Sequence, residues 1–308
     1  MRAWRHDPTS GIAYLASPDR FMKAILQLLG LGFVIMMVTS CGMPRVTKER
    51  NITYGEVGGE KLLLDAFYPQ PKKPALRPAV IWVHGGGWSA GNKDAFAKGA
   101  RALAQQGYVC FSINYRLVSN GRNCWPAQLD DVQRAVRWVR ANAERFGIDP
   151  KRIGAIGHSA GGHLVTCLGT RETRDNSDAA LAPYSSRVAC VVDMSGPVDL
   201  VNQENPSVNQ VVYNLLGGTT AGRPEAARDA SPLYYVDAKS APFLILHGQL
   251  DELVHPHQAE RLDAALRAAG IESRLLMFKD EGHVLTKKEN TDRMIRETLE
   301  FMKNHLAP

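Results

Sequence analysis

A serine flanked by glycines is the first place in this 308-residue chain where residue type and spacing suggest chemistry. Gly157-His158-Ser159-Ala160-Gly161 fits G-x-S-x-G. At roughly 7% glycine the pattern arises by chance about 0.1 times in a chain this long, so its setting has to decide. An apolar run, Arg152–Ile156, precedes it, and a helix-like stretch, His163–Gly169, follows. In such a strand–turn–helix setting the serine is forced into strained backbone geometry, and its hydroxyl projects above a helix N-terminus that stabilises negative charge. The chemistry to expect is nucleophilic attack on an acyl carbon. The competing reading is a glycine-rich turn with an idle serine.

A serine hydroxyl needs a base, and the base needs an orienting carboxylate. For a serine on this kind of turn the expected chain order is Ser, acid, His. Five of the histidines after Ser159 are candidates: His163, His247, His255, His257 and His283. His163 lies just along the elbow helix and faces the wrong way, while His247 ends an apolar strand and reads as a satisfied buried histidine. His255-Pro256-His257 begins a helix and reads as solvated, with a weak metal site as its alternative. His283 alone follows the last strand in a loop, Asp280-Glu281-Gly282-His283, and is the candidate base. Asp251, just beyond the buried strand Phe243–Leu246, is the candidate acid. Glu252, Asp280 and Glu281 compete with it, but the last two sit too close to His283 in sequence to reach its far ring nitrogen. Asp193 and Asp199 read as caps or lining residues. A histidine base must be neutral, so a rate falling below about pH 6.5 is expected.

A second glycine run, His84-Gly85-Gly86-Gly87-Trp88, directly follows the apolar strand Ala79–Val83. Without side chains, its backbone N–H groups can point into a pocket and meet a developing oxyanion. A phosphate-cradling loop is the rival reading, but the run lacks both the Lys-Ser/Thr ending of a P-loop and G-x-G-x-x-G spacing.

These groups need a scaffold. Lys48–Tyr68 contains two strand-like runs around Gly58-Gly59, a hairpin signal, and a proline-rich linker, Pro69–Pro78, follows. Short continuous apolar runs come next at Ala79–Val83, Val109–Ile113, Arg152–Ile156, Val188–Met194, Phe243–Leu246 and Arg274–Phe278. Such runs are expected of a parallel sheet buried on both faces. The clearest helix is Pro126–Phe146, with apolar residues spaced 3,4,3,4,3, proline in its first turn and Gly147 as its C-terminal stop. Strand and helix alternate, which predicts an α/β fold with a mostly parallel, doubly wound sheet and helices on both faces. Residues 195–235 break the rhythm and read either as a small cap or lid over the site or as a long surface excursion.

The charged fraction is 22% and the net charge +6, with Lys and Arg interspersed among Asp and Glu. That pattern gives a nucleic-acid partner little support. Arg20 and Lys23 flank Met22 ahead of an apolar run, Ala24–Val38, too short for a comfortable membrane span. The run ends Val38-Thr39-Ser40-Cys41 and resembles the lipobox of bacterial lipoproteins. The resemblance implies cleavage before Cys41 and acylation there, with two or more chains giving stable anchoring. Gly42, rather than Asp, follows the cysteine, which implies export to the outer membrane of a Gram-negative cell, facing the periplasm. Translation is expected to begin at Met22. Residues 1–41 are then leader and signal peptide, and residues 42–308 a single domain. Cys110, Cys167 and Cys190 read as buried free thiols, and Cys124 as a loop cysteine that an exported protein can pair. None has zinc-site spacing.

The glycine run, the serine turn, the Asp251 loop and the His283 loop, in that order over roughly residues 60–306, resemble the esterase/lipase branch of the α/β-hydrolases. That branch includes hormone-sensitive-lipase-like carboxylesterases and acetylxylan/feruloyl esterases. The resemblance implies a Ser-His-Asp triad and an oxyanion hole from the amides of Gly86, Gly87 and Ala160. It further implies a substrate pocket to which Trp88 and His158 contribute, an ester substrate of small-molecule or carbohydrate type, and no metal or cofactor. At Asp251-Glu252-Leu253-Val254-His255-Pro256 the sequence departs from the family, because His255 interrupts a usual Val-Pro pair. Kynurenine formamidase, an amide hydrolase on the same scaffold, carries a similar glycine loop followed by Trp. A catalytically silent binding protein would have lost a triad member, and none is lost.

Overall fold

In a computed structural model of the chain, the described residues are 44–70, 76–202, 205 and 208–307. The leader, the lipobox and Cys41 lie outside them. Gly58 and Gly59 take φ of 58° and 80°, a region open to glycine, and turn the chain between β1 (Val46–Val57) and β2 (Glu60–Pro69). The hairpin is antiparallel and joins the sheet through β2 against β4. The other strands are β3 (Arg77–Val83), β4 (Val109–Ile113), β5 (Ile148–His158), β6 (Val191–Met194), β7 (Phe243–Gly248) and β8 (Ser273–Phe278). Among the described residues they form one eight-stranded sheet in the order β1-β2-β4-β3-β5-β6-β7-β8, and every pairing from β4 onward is parallel. The predicted architecture is therefore present.

Continuous apolar strands follow from burial on both faces. On β3, Ala79, Ile81 and Val83 join the larger core, while Val80 and Trp82 join a second one. The larger core is closed by α2 (Ala127–Ala141) and α4 (Ala160–Thr170); the second is closed by α1 (Ala97–Gln105) and α8 (Lys288–Leu306).

Several boundaries differ from the sequence reading. The long helix breaks at Asn142 into α2 and a short α3 (Ala143–Phe146). The Asn142 side chain donates to the Trp138 carbonyl at 2.8 Å, which also accepts the Asn142 amide at 2.9 Å. Pro126 stands one position earlier than expected, as the N-cap, while Gly147 does close the segment at φ 64°. Strand β5 is longer than its apolar run, and β6 is shorter.

Between β6 and β7, residues 195–235 contain α5 (Asn209–Leu216), α6 (Pro224–Asp229) and a 3₁₀ turn, Pro232–Tyr235. They are tied to the body: the Trp125 amide donates to Leu215 O at 2.7 Å and its indole N–H to Asp229 at 2.6 Å. The remaining helix, α7 (His257–Ala268), precedes β8. Among the described residues no helix is long and apolar enough to cross a membrane, and Cys110, Cys124, Cys167 and Cys190 are unbridged, with all but Cys124 buried.

Candidate active site

The parallel strands deliver the candidate residues to one edge of the sheet, as ligand sites in open α/β sheets require. Ser159 follows the last residue of β5 and precedes α4, with φ 57° and ψ −123°. A non-glycine residue held there stores strain, and the neighbours show why the glycines are needed. A Cβ on Gly157 would lie 2.2 Å from Gly161 O, and one on Gly161 would lie 2.1 Å from Val83 O. The Ser159 amide is anchored on Met194 O at 2.8 Å.

His283 lies after β8 and presents both ring nitrogens to partners. Its Nδ1–H donates to Asp251 Oδ2 at 2.8 Å, and its Nε2 accepts from the Ser159 hydroxyl at 2.8 Å. The predicted serine, histidine and aspartate are thus in one hydrogen-bonded row. Asp251 Oδ1 accepts the amides of Leu253 and Val254, each at 2.9 Å. Burial pushes the Asp251 carboxyl up, but hydrogen bonds from His247, His283 and the backbone more than reverse this and hold it well below the usual carboxylate range. It is an ionised, fully buried acceptor.

The competing acids have other partners. Glu281 staples its own loop by accepting from the amides of Thr286 and Lys287, both at 2.8 Å, and from Asn290 at 2.9 Å. Asp280 faces solvent and pairs with Lys287. Asp199 pairs with Arg261 at 2.6 Å, and Asp193 accepts the Gly196 amide at 3.0 Å. The Leu250 amide donates to Glu281 O at 2.8 Å, which locks the acid loop to the base loop.

The glycine run packs against the serine turn: a Cβ on Gly85 would sit 3.2 Å from Ser159 Cβ. Gly86 and Gly87 have φ of 116° and 57°, so the loop turns in the region where glycine is favoured. Its root is fixed by His84, whose ring stacks on Tyr115 at 4.3 Å and whose carbonyl accepts the Tyr115 hydroxyl at 3.1 Å. Val211 of α5 stands over the loop, its Cγ1 2.9 Å from where a Gly87 Cβ would be.

Two expected pocket residues do other work. Trp88 is only 3% exposed and packs in the larger core. Its indole N–H donates to His163 Nδ1 at 3.2 Å, and His163 Nε2–H donates to Ala230 O at 2.7 Å. Burial, only partly offset by the bond to Ala230, lowers His163 to about 4. Trp88 therefore ties the glycine loop to α4 rather than lining an open pocket. His158 is turned to the base loop, its Nε2–H donating to His283 O at 2.9 Å. Burial, reinforced by the nearby His283, lowers His158 to about 4, so it is a neutral spacer that holds His283 in place. His247 was read as a satisfied core residue. Its Nε2 does reach Val254 O at 2.8 Å, but it also lies 3.1 Å from Asp251 Oδ2. Its position four residues before Asp251 was the signal available in the sequence. Among the described residues no group of three or more His, Cys, Asp or Glu could hold a metal ion.

With this geometry in place, comparison with known proteins decides the family. The BD-FAE family model matches residues 64–266, a stretch that includes the glycine run, Ser159 and Asp251. The chain belongs to the BD-FAE family. Among curated proteins, this BD-FAE chain is similar to Esterase LipC of Mycobacterium tuberculosis, at 35% identity over 231 residues, covering 73% of the chain and 56% of LipC. The chain spans about half the length of the curated relatives it matches. Among solved structures it is similar to propionate-bound Est2, a thermophilic esterase from Thermogutta terrifontis. The TM-score is 0.71 at 26% identity, covering 86% of this chain and 96% of that one. A truncated carbohydrate esterase from gut microbiota gives a TM-score of 0.74 at 26% identity, covering 87% and 99%. The fold of this BD-FAE chain is that of the α/β-hydrolases.

Proposed function

We propose that the protein is a serine esterase that cleaves carboxylic esters through an acyl-enzyme. The observation that carries this is the unbroken row Ser159 Oγ, His283, Asp251, with 2.8 Å at both hydrogen bonds. His283 Nε2 takes the hydroxyl proton as Ser159 attacks the ester carbonyl, and Asp251 holds the tautomer and stabilises the imidazolium. The tetrahedral oxygen is received by the backbone amides of Gly87 and Ala160, with Gly86 beside them, at the start of α4 where the helix dipole favours negative charge. His283 then protonates the departing alcohol. Water, activated by the same base, releases the acid and restores Ser159.

Short-chain acyl groups, or acetyl and feruloyl groups carried on carbohydrate, are the proposed substrates. Similarity to an esterase solved with propionate and to a carbohydrate esterase supports this range. The lipobox-like Val38–Cys41 supports export and a lipid tether at Cys41.

Ser159→Ala removes the nucleophile and should lower turnover of p-nitrophenyl acetate by about 10⁴-fold or more, with an unchanged thermal melting curve. Undiminished turnover would overturn the assignment. Parallel assays on acetylated xylan, feruloyl esters and N-formylkynurenine would assign the substrate, and a preference for the last would make the enzyme an amide hydrolase. For the tether, Cys41→Ala should move the protein from the membrane fraction to the soluble one; an unchanged distribution would exclude it.

A further inference from the structure

One oxygen of the Asp251 carboxylate meets two imidazoles. His283 Nδ1 lies 2.8 Å from Oδ2, and His247 Nε2 lies 3.1 Å from the same atom. The His247 side chain is 1% exposed and that of Asp251 is fully buried. Both acceptors of His247, Val254 O and Asp251 Oδ2, stand at Nε2, so the hydrogen belongs on that nitrogen. Its Nδ1 has no hydrogen-bond partner among the described residues. A leucine here would leave Val254 O without this donor, while the imidazole keeps its own Nδ1 unsatisfied, so burying it carries a cost of its own.

We propose that His247 is a positioning residue that shares the charge of Asp251 and thereby sets how firmly His283 holds a proton. The inference rests on the triad proposed above. A donor to Oδ2 disperses the carboxylate charge, and less charge remains to stabilise an imidazolium at His283. Without that donor, His283 gains a proton at higher pH. His247 and His283 together help hold the buried Asp251 carboxyl below the usual carboxylate range. The other ionisable groups facing this cluster are few. His158 from β5 lies 5.0 Å from the His283 ring, and Asp193 from β6 interacts electrostatically with His247. Asp193 stands in register with Ile245, two residues before His247 and so on the same face of the sheet. Glu281 and Asp280 belong to the base loop itself, and their bonds to Thr286, Lys287 and Asn290 engage them elsewhere.

The test reads His283 directly. The full chain, labelled with ¹⁵N-histidine, is titrated by NMR, with His283 assigned from its loss in His283→Gln. In His247→Leu the midpoint should move up by about one pH unit, the size expected for one lost hydrogen bond to a charged group. His247→Gln, whose amide can reach the Nε2 position, should return it to the wild-type value. If the leucine variant fails to fold, His247→Asn carries the test, since its amide stops short of Asp251. An unmoved midpoint in the variants lacking the donor, or the same shift in His247→Gln, overturns the inference. The readout needs no turnover, so failure of the proposed esterase activity is separately visible as an inactive wild-type enzyme.

Discussion

Asp251 receives donors from two amides and the His283 imidazole, with His247 Nε2 3.1 Å away, and that fixes which mutations should be informative at the scale of single residues. Asp251→Asn keeps the shape but turns one acceptor oxygen into a donor, so His283 would be driven to the wrong tautomer. A fall in kcat of about 10⁴-fold is expected, with the melting temperature changed far less; steady-state kinetics and calorimetry on the same samples would check it. Trp88→Phe tests the corrected role of that residue. Removing the indole N–H leaves His163 Nδ1 buried without its donor, so the expected outcome is a stability loss of about 1–3 kcal/mol seen in denaturant unfolding. A change in acyl selectivity at unchanged stability would restore the pocket reading. Ser159, Asp251 and His283 were legible because each combines a reactive side chain with a turn after an apolar strand. His247 was not, since a histidine at a strand end reads the same whether its partner is a carbonyl or the carboxylate of the proposed triad. Trp88 misled because a sequence does not say which side of a loop an indole leaves from.

At the scale of elements, β6 carries a buried acid that the proposed mechanism does not use. Burial pushes Asp193 up to about 6, against the electrostatic help of His247 and a bond from the Gly196 amide. Its folded value lies above the unfolded one of about 3.9, so its contribution is fully present below that value and is lost as pH rises through about 6. The loss is of the order of 3 kcal/mol. Asp193→Asn should flatten the decline in stability between pH 4 and pH 7; an unchanged slope would mean that Asp193 ionises normally. The strands were readable because both faces are apolar, which erases alternation and leaves compact hydrophobic runs. Their ends were not, because β5 extends beyond its apolar centre through backbone pairing with β3, which no side-chain pattern reports. The break at Asn142, where a side-chain amide meets a carbonyl four residues back, leaves no mark in the apolar spacing.

For the whole molecule, several buried or half-buried carboxylates pull the other way. Burial pushes Asp65, Asp199 and Asp229 up, but Lys93 and Lys48, then Asn202 and Arg261, then Trp125 and Arg171 more than reverse it. With folded values below the unfolded one, their contribution is present above about pH 3.9 and is lost as pH falls through the lower folded values. The melting temperature should therefore drop steeply below about pH 4, and scanning calorimetry from pH 7 to pH 3 would show it. The fold class and strand sequence were legible along the whole described chain. How residues 195–235 sit was not, because Trp125, Arg171 and Val211 act there through contacts distant in sequence.

The serine and its base are 124 residues apart in the chain, and β8, the strand that presents the base, lies at the rim of the sheet. A ribosome that has released the serine turn has therefore still to make the histidine proposed to activate it. Any product stalled or cut in between carries an inert hydroxyl. Biosynthesis thus supplies its own safety catch: on the proposed mechanism, acyl transfer begins only after the last strand has docked.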